Sequence, residues 1–578
     1  MRQWSHRYQY EGMNSADGDM KDLVDGQLGA FGVPGAAVAV VHDGDVVLCG
    51  AFGLADVGGA RPVTTNTSFA IASTTKAFTA AAVAALVDDG LVEWDTPVRH
   101  YLPDFELRDH VATERLTPRD LLCHRSGLPR HDMLWYGNPS EDRGELVRAL
   151  RHVEPSADFR QTFQYNNTMY ATAGHLIEVV TGETWETFLR ARLLEPLGMR
   201  QTTCSYEEAG EIGPVAVPYA GRGEAVVQMP SSPNSRLCGP AGSIYSPIED
   251  MVYWLSVHLD GGTRDGRTVL SAAATRELLA PQMVQSSTAL FPEAADSAYG
   301  LGWFIGTYRG HLHVHHGGNI DGFTSLVTML PDERAGVVVL CNRDLTPFCD
   351  ALTYSVYDRL LGLEPLPWVD RIRTSESASW AGSRAATARL PRRENAPPTH
   401  PLEEYVGDYV HPAYGTFGIS VADGVLVPTY RLVPMTLKHR HFDVWDADVG
   451  IRERSPKPLT FRTDPRGDIS ALEIPLEPAV APIVFQRAPD ARLTEPAFLT
   501  SLVGRYACGP LEISVEQATP GTLSATLPTA GQVTLVATRG TTFRVATMPT
   551  VTFTFELDDS GAVQELVVQP AGIFLPVS

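Results

Sequence analysis

Ser73-Thr74-Thr75-Lys76-Ala77-Phe78-Thr79 opens an alanine-rich run that continues to Asp89 and stops at Gly90. Phe78, Ala82 and Leu86 share one helical face, and glycine is a common helix stop, so the spacing predicts a helix over 73–89. Three residues are about one helical turn, so Lys76 projects beside Ser73. A serine hydroxyl is a poor nucleophile unless a base removes its proton during attack. Backbone N–H groups and the dipole at a helix start disfavour a nearby ammonium, which suits Lys76 to a neutral, basic state. Alone, Ser-x-x-Lys also describes an N-cap serine followed by a surface lysine. Its company along the chain decides between the two.

Upstream, Ala36–Val41 and Val46–Gly50 are apolar runs joined by His42-Asp43-Gly44-Asp45, which predicts a β-hairpin. Downstream, helices are predicted at Arg119–Cys123, Glu145–His152, Met169–Thr181 and Trp185–Leu193. Strands return at Leu312–His315, Phe323–Leu330 and Val337–Cys341. Strands at both ends with helices between them predict an α+β domain: one antiparallel sheet carrying a helical insertion. From Thr374 to Pro401 the pattern breaks down into Ser, Ala, Arg and Pro, as in a linker. Beyond it helix signals vanish and a repeat emerges. Tyr405-Val406-Gly407-Asp408-Tyr409 is echoed by Leu502-Val503-Gly504-Arg505-Tyr506, and Thr460-Phe461 by Thr554-Phe555. The expected organisation is a tail (1–20), the α+β domain (21–372), a linker (373–400) and two small β-barrels (401–489 and 490–578).

The chain has 578 residues, 44% of them hydrophobic, enough for several cores, and a net charge of −22. That charge argues against nucleic acid and anionic membrane as partners. Only four lysines are present, and one of them is Lys76. The N-terminus carries no apolar run resembling a signal segment, and no stretch is apolar enough to span a bilayer. The seven cysteines are scattered, without metal-ligand spacing, and read as reduced thiols. A cytoplasmic location is expected, with a small-molecule or peptide substrate and a homo-oligomer allowed. No cofactor is expected.

Several further elements follow Ser73 in order. They are His124-Arg125-Ser126-Gly127-Leu128, Tyr165-Asn166-Asn167, Pro240-Ala241-Gly242-Ser243, Tyr299-Gly300-Leu301-Gly302-Trp303 and His316-Gly317-Gly318. Together with Gly32–Ala36 they resemble class C β-lactamases and penicillin-binding proteins over about residues 25–365. The resemblance implies a β-lactamase/transpeptidase-like catalytic domain in which Ser73 attacks an acyl carbonyl and forms an acyl-enzyme. Tyr165 would share a proton with Lys76 and pass it to the leaving group, and Asn167 would hydrogen-bond Lys76 or the substrate amide. The oxyanion would rest on the N–H groups of Ser73 and Asn319, with Gly317 and Gly318 letting the strand edge approach. His316 stands where β-lactamases carry lysine, and histidine is only partly charged near pH 7. The His-x-Gly form resembles instead the CubicO-type peptidase and D-aminopeptidase branch, as does Arg130-His131-Asp132, to which no role is assigned. The tail after residue 401 resembles the lipocalin-like domains appended to such enzymes. Trp135 and Tyr136 are candidate acyl-pocket residues. His311, His313 and His315 alternate on one strand face and read as clustered solvent-facing histidines, so no metal site is assigned.

The implied function is a serine hydrolase of small peptides, amides or esters, with D-residues favoured by the resemblance. Penicillin-binding-protein-type thioesterases and cyclases, which pass a peptidyl group to an amine, are the alternative with the same elements. A non-catalytic sensor would have lost one of them.

Overall fold

The computed structural model describes residues 15–577 apart from 223–224, 231–235, 286–289, 389–391, 450–455, 466, 490, 520, 529, 539–540 and 559. The chain forms two compact units. Among the described residues, one comprises the chain up to 388 with the short stretch Pro475–Pro482; the other comprises 392–449, Pro456–Ile474 and 483–577.

In the first unit the hairpin is β1 (Gly35–His42) and β2 (Asp45–Asp56). The later strands are β3 (Ala294–Tyr299), β4 (Phe304–Tyr308), β5 (His311–Ile320), β6 (Phe323–Leu330) and β7 (Ala335–Cys341). They lie in the order β3-β4-β5-β6-β7-β1-β2, with two-residue strands at either edge completing a nine-stranded sheet. β1 pairs antiparallel with β7, Ala36 opposite Cys341 and Val38 opposite Val339. The helical segment is thus inserted into one continuous sheet, as expected. β6 and β7 are buried along their whole length, which is why β7 reads as a continuous apolar run, while Ser325 and Thr328 of β6 are hydrogen-bonded inside the fold.

The principal helices are α1 (Ser15–Phe31), α2 (Thr75–Asp88), α3 (Asn167–Thr181), α4 (Ile248–Leu259) and α5 (Phe348–Leu360). Met20, Val24 and Leu28 of α1 share a core with Val38, Val40, Val337, Val339 and, from α5, Leu352 and Val356. The expected tail therefore divides: residues 1–14 lie outside the described residues, and Ser15–Met20 begin a packed helix. The expected linker also starts as helix, because Trp368–Ala388 is one continuous helix whose Trp368 is buried in the same core. Its Ala, Ser and Arg residues are compatible with helix, and the run holds no proline.

His311, His313 and His315 do share a face of β5, but they do not stand free in solvent. His313 is 4% exposed and its ring lies 6.0 Å from that of Tyr357 on α5, while His311 and His315 are half-buried. Each has a side-chain partner: Glu333 for His311, Thr328 for His313 and Asp296 for His315.

In the second unit, eight strands from Gly407–His411 to Ile483–Arg487 form an antiparallel meander whose first strand pairs with its last. This sheet is open between its third strand (Val425–Tyr430) and its fourth (Thr436–His441). The eight strands from Gly504–Cys508 to Gly572–Pro576 repeat the meander as a closed barrel. The sequence echo has a physical counterpart. Tyr409 Oη donates to Tyr405 O and Tyr506 Oη to Leu502 O, each at 2.8 Å, anchoring the first strand of each sheet to the turn before it.

α3 packs on the Pro240 segment at Gly174, where a Cβ would stand 2.2 Å from Pro240 Cγ. Alanine normally favours a helix over glycine by about 0.8–1 kcal/mol. Here overpacking reverses the sign: Gly174→Ala should lower stability by roughly 1–3 kcal/mol, read as a lower denaturation midpoint. An unchanged or raised midpoint would show that this contact yields.

Candidate active site

Ser73 sits in a single 3₁₀ turn, Ala72–Thr74, that runs into α2. Ala72 adopts φ 47°, a left-handed conformation costing a non-glycine residue about 1 kcal/mol or more. The turn is held by the sheet: Ser325 Oγ on β6 donates to Ile71 O (2.7 Å), and Thr74 Oγ1 donates to His316 O (3.2 Å). Gly318 is required beside it, because a Cβ there would lie 2.2 Å from Ile71 O and 2.9 Å from Ser73 N. The ladder between β4 and β5 ends at Phe304 and His315, so the β5 edge beyond has no strand partner on that side. Gly317, Gly318 and Asn319 lie on this stretch; Asn319 Oδ1 accepts from Thr324 Oγ1 (2.8 Å).

Lys76, on the first turn of α2, is wholly buried. Its Nζ donates to Ala241 O at 2.8 Å and to Ser73 Oγ at 3.1 Å, and stands over the rings of Tyr165 (4.8 Å) and Tyr170 (5.3 Å). Burial pulls its pKa from 10.5 down to about 7, with Cys238 and Asp132 opposing and the Arg130 charge reinforcing the fall. Burial pushes the Tyr165 pKa well up, with the neighbouring Ser73 hydroxyl opposing, so the phenol stays protonated. Near neutral pH the triangle thus holds an amine that can take a proton, a hydroxyl that can lose one and a phenol that can give one.

The flanking landmarks have structural duties. His124 takes φ 60°, and its Nδ1 accepts the Asn166 N–H (3.0 Å) while its ring lies 4.3 Å from that of Tyr165. Asn166 then caps α3 through Met169 N (3.0 Å) and donates to Leu128 O and Pro129 O. The Pro240-Ala241 carbonyls serve α2, accepting Thr79 Oγ1 (2.6 Å) and Lys76 Nζ respectively. Gly302, at φ 85°, allows its loop onto α2, where a Cβ would stand 2.9 Å from Ala77 Cα.

His316 is 1% exposed. Its Nδ1 lies 2.7 Å from Gly317 O, which can only accept, so Nδ1 carries the proton and Nε2 accepts from Tyr299 Oη (3.0 Å). Burial first, then Lys76, depresses its pKa well below the ordinary value. The expected partial charge is therefore corrected to a neutral imidazole with both nitrogens engaged.

Asn167 Nδ2 donates to Asp132 Oδ1 (2.7 Å), an oxygen that also accepts Trp135 Nε1 (2.9 Å). Asp132 Oδ2 takes Arg130 Nε (2.7 Å), and the Arg130 guanidinium lies 5.1 Å from the centre of the Tyr165 ring. Asp132 thus gathers Asn167, Trp135 and Arg130 into one cluster beside Tyr165. The Arg-His-Asp run was the available signal, but its role depends on Asn167 across the fold. Tyr136 is half-buried and donates to Asp321 Oδ1 (3.3 Å). Glu477, in the 475–482 stretch of the same unit, accepts the His131 N–H (2.8 Å), a contact with no sequence signal.

The chain is similar to several known proteins. Residues 20–358 match the family described as beta-lactamase, and 391–487 match a domain of unknown function, DUF3471. The chain is 32% identical over 418 residues to the unguisins hydrolase ungD' of Aspergillus campestris, covering 69% of this chain and 76% of that one. It is 32% identical over 315 residues to penicillin-binding protein 4 of Amycolatopsis lactamdurans, covering 54% of this chain and 81% of that protein. The octameric penicillin-binding protein homologue from Pyrococcus abyssi shares the fold, with a TM-score of 0.54 and 22% identity over 81% of this chain and 99% of its own. With more than half its length matched by one family and a mostly aligned relative above 30% identity, the chain belongs to the β-lactamase family of serine hydrolases.

Proposed function

We propose that Ser73 is the nucleophile of an acyl-enzyme hydrolase acting on small peptides, amides or esters, with Lys76 as its base and Tyr165 as the acid for the leaving group. The observation that carries this reading is a buried lysine, its pKa drawn to about 7, whose Nζ is 3.1 Å from Ser73 Oγ. Neutral Lys76 takes the Ser73 proton as Oγ bonds to the carbonyl carbon. Tyr165 protonates the departing group, and water then releases the acid from the ester on Ser73. The N–H groups of Ser73 and Asn319 are the proposed oxyanion donors, supported by the close approach of Gly318 to the nucleophile turn. Asn167, held by Asp132, and Trp135 and Tyr136 are proposed to line the acyl pocket. The name of the ungD' relative supports hydrolysis as the outcome, and the family resemblance supports a preference for D-residues. A cytoplasmic setting is proposed from the seven cysteines, which form no disulfide. Among the described residues no helix is long and apolar enough to cross a membrane. The two C-terminal repeats are proposed as separate domains, and assembly into an oligomer is proposed by analogy with the octameric homologue.

Ser73→Ala should abolish turnover and fluorophosphonate labelling while leaving thermal unfolding nearly unchanged; retained turnover would remove Ser73 from the mechanism. Lys76→Ala and Tyr165→Phe should each cost orders of magnitude in acylation, and the double variant little more, because one proton path serves both.

The pH dependence has a definite sign. Protonated Lys76 cannot accept the Ser73 proton, so kcat/KM should fall as pH drops through about 7. The residual activity of Lys76→Ala should lack that limb. An unshifted limb in the variant would assign it to another group.

Because His316 is neutral and engaged, it supplies no permanent cation for a substrate carboxylate. Nitrocefin should therefore be turned over slowly relative to D-aminoacyl esters and p-nitroanilides, which lack a carboxylate, with L-isomers poorer. Running the panel with and without added amine, and identifying products by mass, distinguishes water from amine as acceptor. Efficient nitrocefin hydrolysis would overturn the substrate assignment while leaving the nucleophile untouched.

A further inference from the structure

The face of β5 turned away from Ser73 carries a second chemical cluster that acyl transfer does not use. Asp296 on β3 pairs across the sheet with Gly306 on β4, and Gly306 pairs with His313 on β5. Residues directly opposite in antiparallel strands share a face. The three therefore form a row whose middle member has no side chain to separate the outer two. His315, two residues along β5, adds a second imidazole, its ring stacked on that of His313 at 4.6 Å. One ligand-type atom from each of Asp296, His313 and His315 lies within 4.8 Å of the others.

We propose that Asp296, His313 and His315 form a binding site for one divalent transition-metal ion of the zinc class. Two imidazoles and a carboxylate are a borderline nitrogen/oxygen donor set, suited to Zn²⁺ and its neighbours and poorly suited to Mg²⁺, Ca²⁺ or Cu⁺. With metal–ligand distances of about 2.0–2.1 Å, two ligand atoms on one ion lie roughly 3.0–3.4 Å apart. His315 Nε2 and Asp296 Oδ1 stand 2.8 Å apart, so that edge needs only to widen by a few tenths of an ångström. His313 completes the set by a shift on the order of 1 Å. Binding replaces the proton shared by His315 and Asp296 and releases it to solvent.

The surroundings are those of a supported site. His313 Nε2 is 2.7 Å from Thr328 Oγ1, which is 2.9 Å from Tyr357 Oη. With Nε2–H donated to that hydroxyl chain, Nδ1 keeps the lone pair, the arrangement by which outer groups fix a ligating histidine. Side-chain exposure of 27% at Asp296 and 18% at His315 leaves a way in for the ion. Three protein ligands leave one position for water.

The test uses the full chain, dialysed against chelator and titrated with ZnCl₂ by calorimetry. One high-affinity Zn²⁺ per chain and a raised unfolding temperature are expected, and Co²⁺ in its place should show visible d–d bands. Asp296→Asn removes a ligand at the partly exposed rim and should fold normally. It should weaken this binding by more than the roughly 10–100-fold that losing an outer-shell partner costs. Thr328→Val should weaken it within that range, and His313→Ala should abolish it with the Co²⁺ bands. Absence of a one-to-one site in the parent protein, or equal affinity and spectra in Asp296→Asn, would overturn the proposal. Binding that survives Asp296→Asn unchanged would mean that other histidines hold the ion.

Discussion

The catalytic unit depends on keeping the amine of Lys76 out of water. An isolated ammonium in a low-dielectric site is costly, and the usual escape is loss of its proton. The protein offers it one backbone carbonyl, one hydroxyl and two aromatic faces, enough to position the amine without fully stabilising its charge. Each neighbouring landmark maintains that state. Ala241 supplies the carbonyl, Gly302 and Gly174 let their segments close over α2 and α3, and His124 supports the Tyr165 ring from behind. These motifs, scattered over more than two hundred residues, are the walls of one small dry compartment.

Much of this was legible in the sequence because the constraints are local. Ser73 and Lys76 are one turn apart, the hairpin has its Asp-Gly turn, and the runs 323–330 and 337–341 read as strands. What was not legible depends on which distant groups meet. The neutrality of His316 follows from Tyr299 and Lys76 beside it, not from its own strand. The work of Asp132 appears only once α3 brings Asn167 to it. The same cause misled the reading of His311, His313 and His315. Alternation says that they share a face, whereas burial is decided by α5, which arrives some thirty-five residues later. Position 374 onward looked like a linker because its composition is polar, and a polar run can continue a helix once Trp368 has anchored it.

The two C-terminal sheets show one sequence pattern giving two degrees of closure. The open sheet leaves two edges, Val425–Tyr430 and Thr436–His441. An unpaired edge invites pairing with another chain, and charged residues are a common guard against it. Lys438, His439, Arg440 and His441 occupy the second edge, whereas Val425, Leu426 and Val427 leave the first more apolar.

The pairing of β1 with β7 has a consequence for how the protein is made. The hairpin of β1 and β2 leaves the ribosome well before its partner strand, which lies about 300 residues further on. At roughly 5–20 residues per second, β1 waits some 15–60 s before β7 exists. During that interval an apolar edge, Ala36 to Val41, is exposed with nothing to cover it. Long-range closure of this kind is slow and prone to aggregation. Synthesis rate and chaperone capture, more than final stability, should govern the yield of folded enzyme.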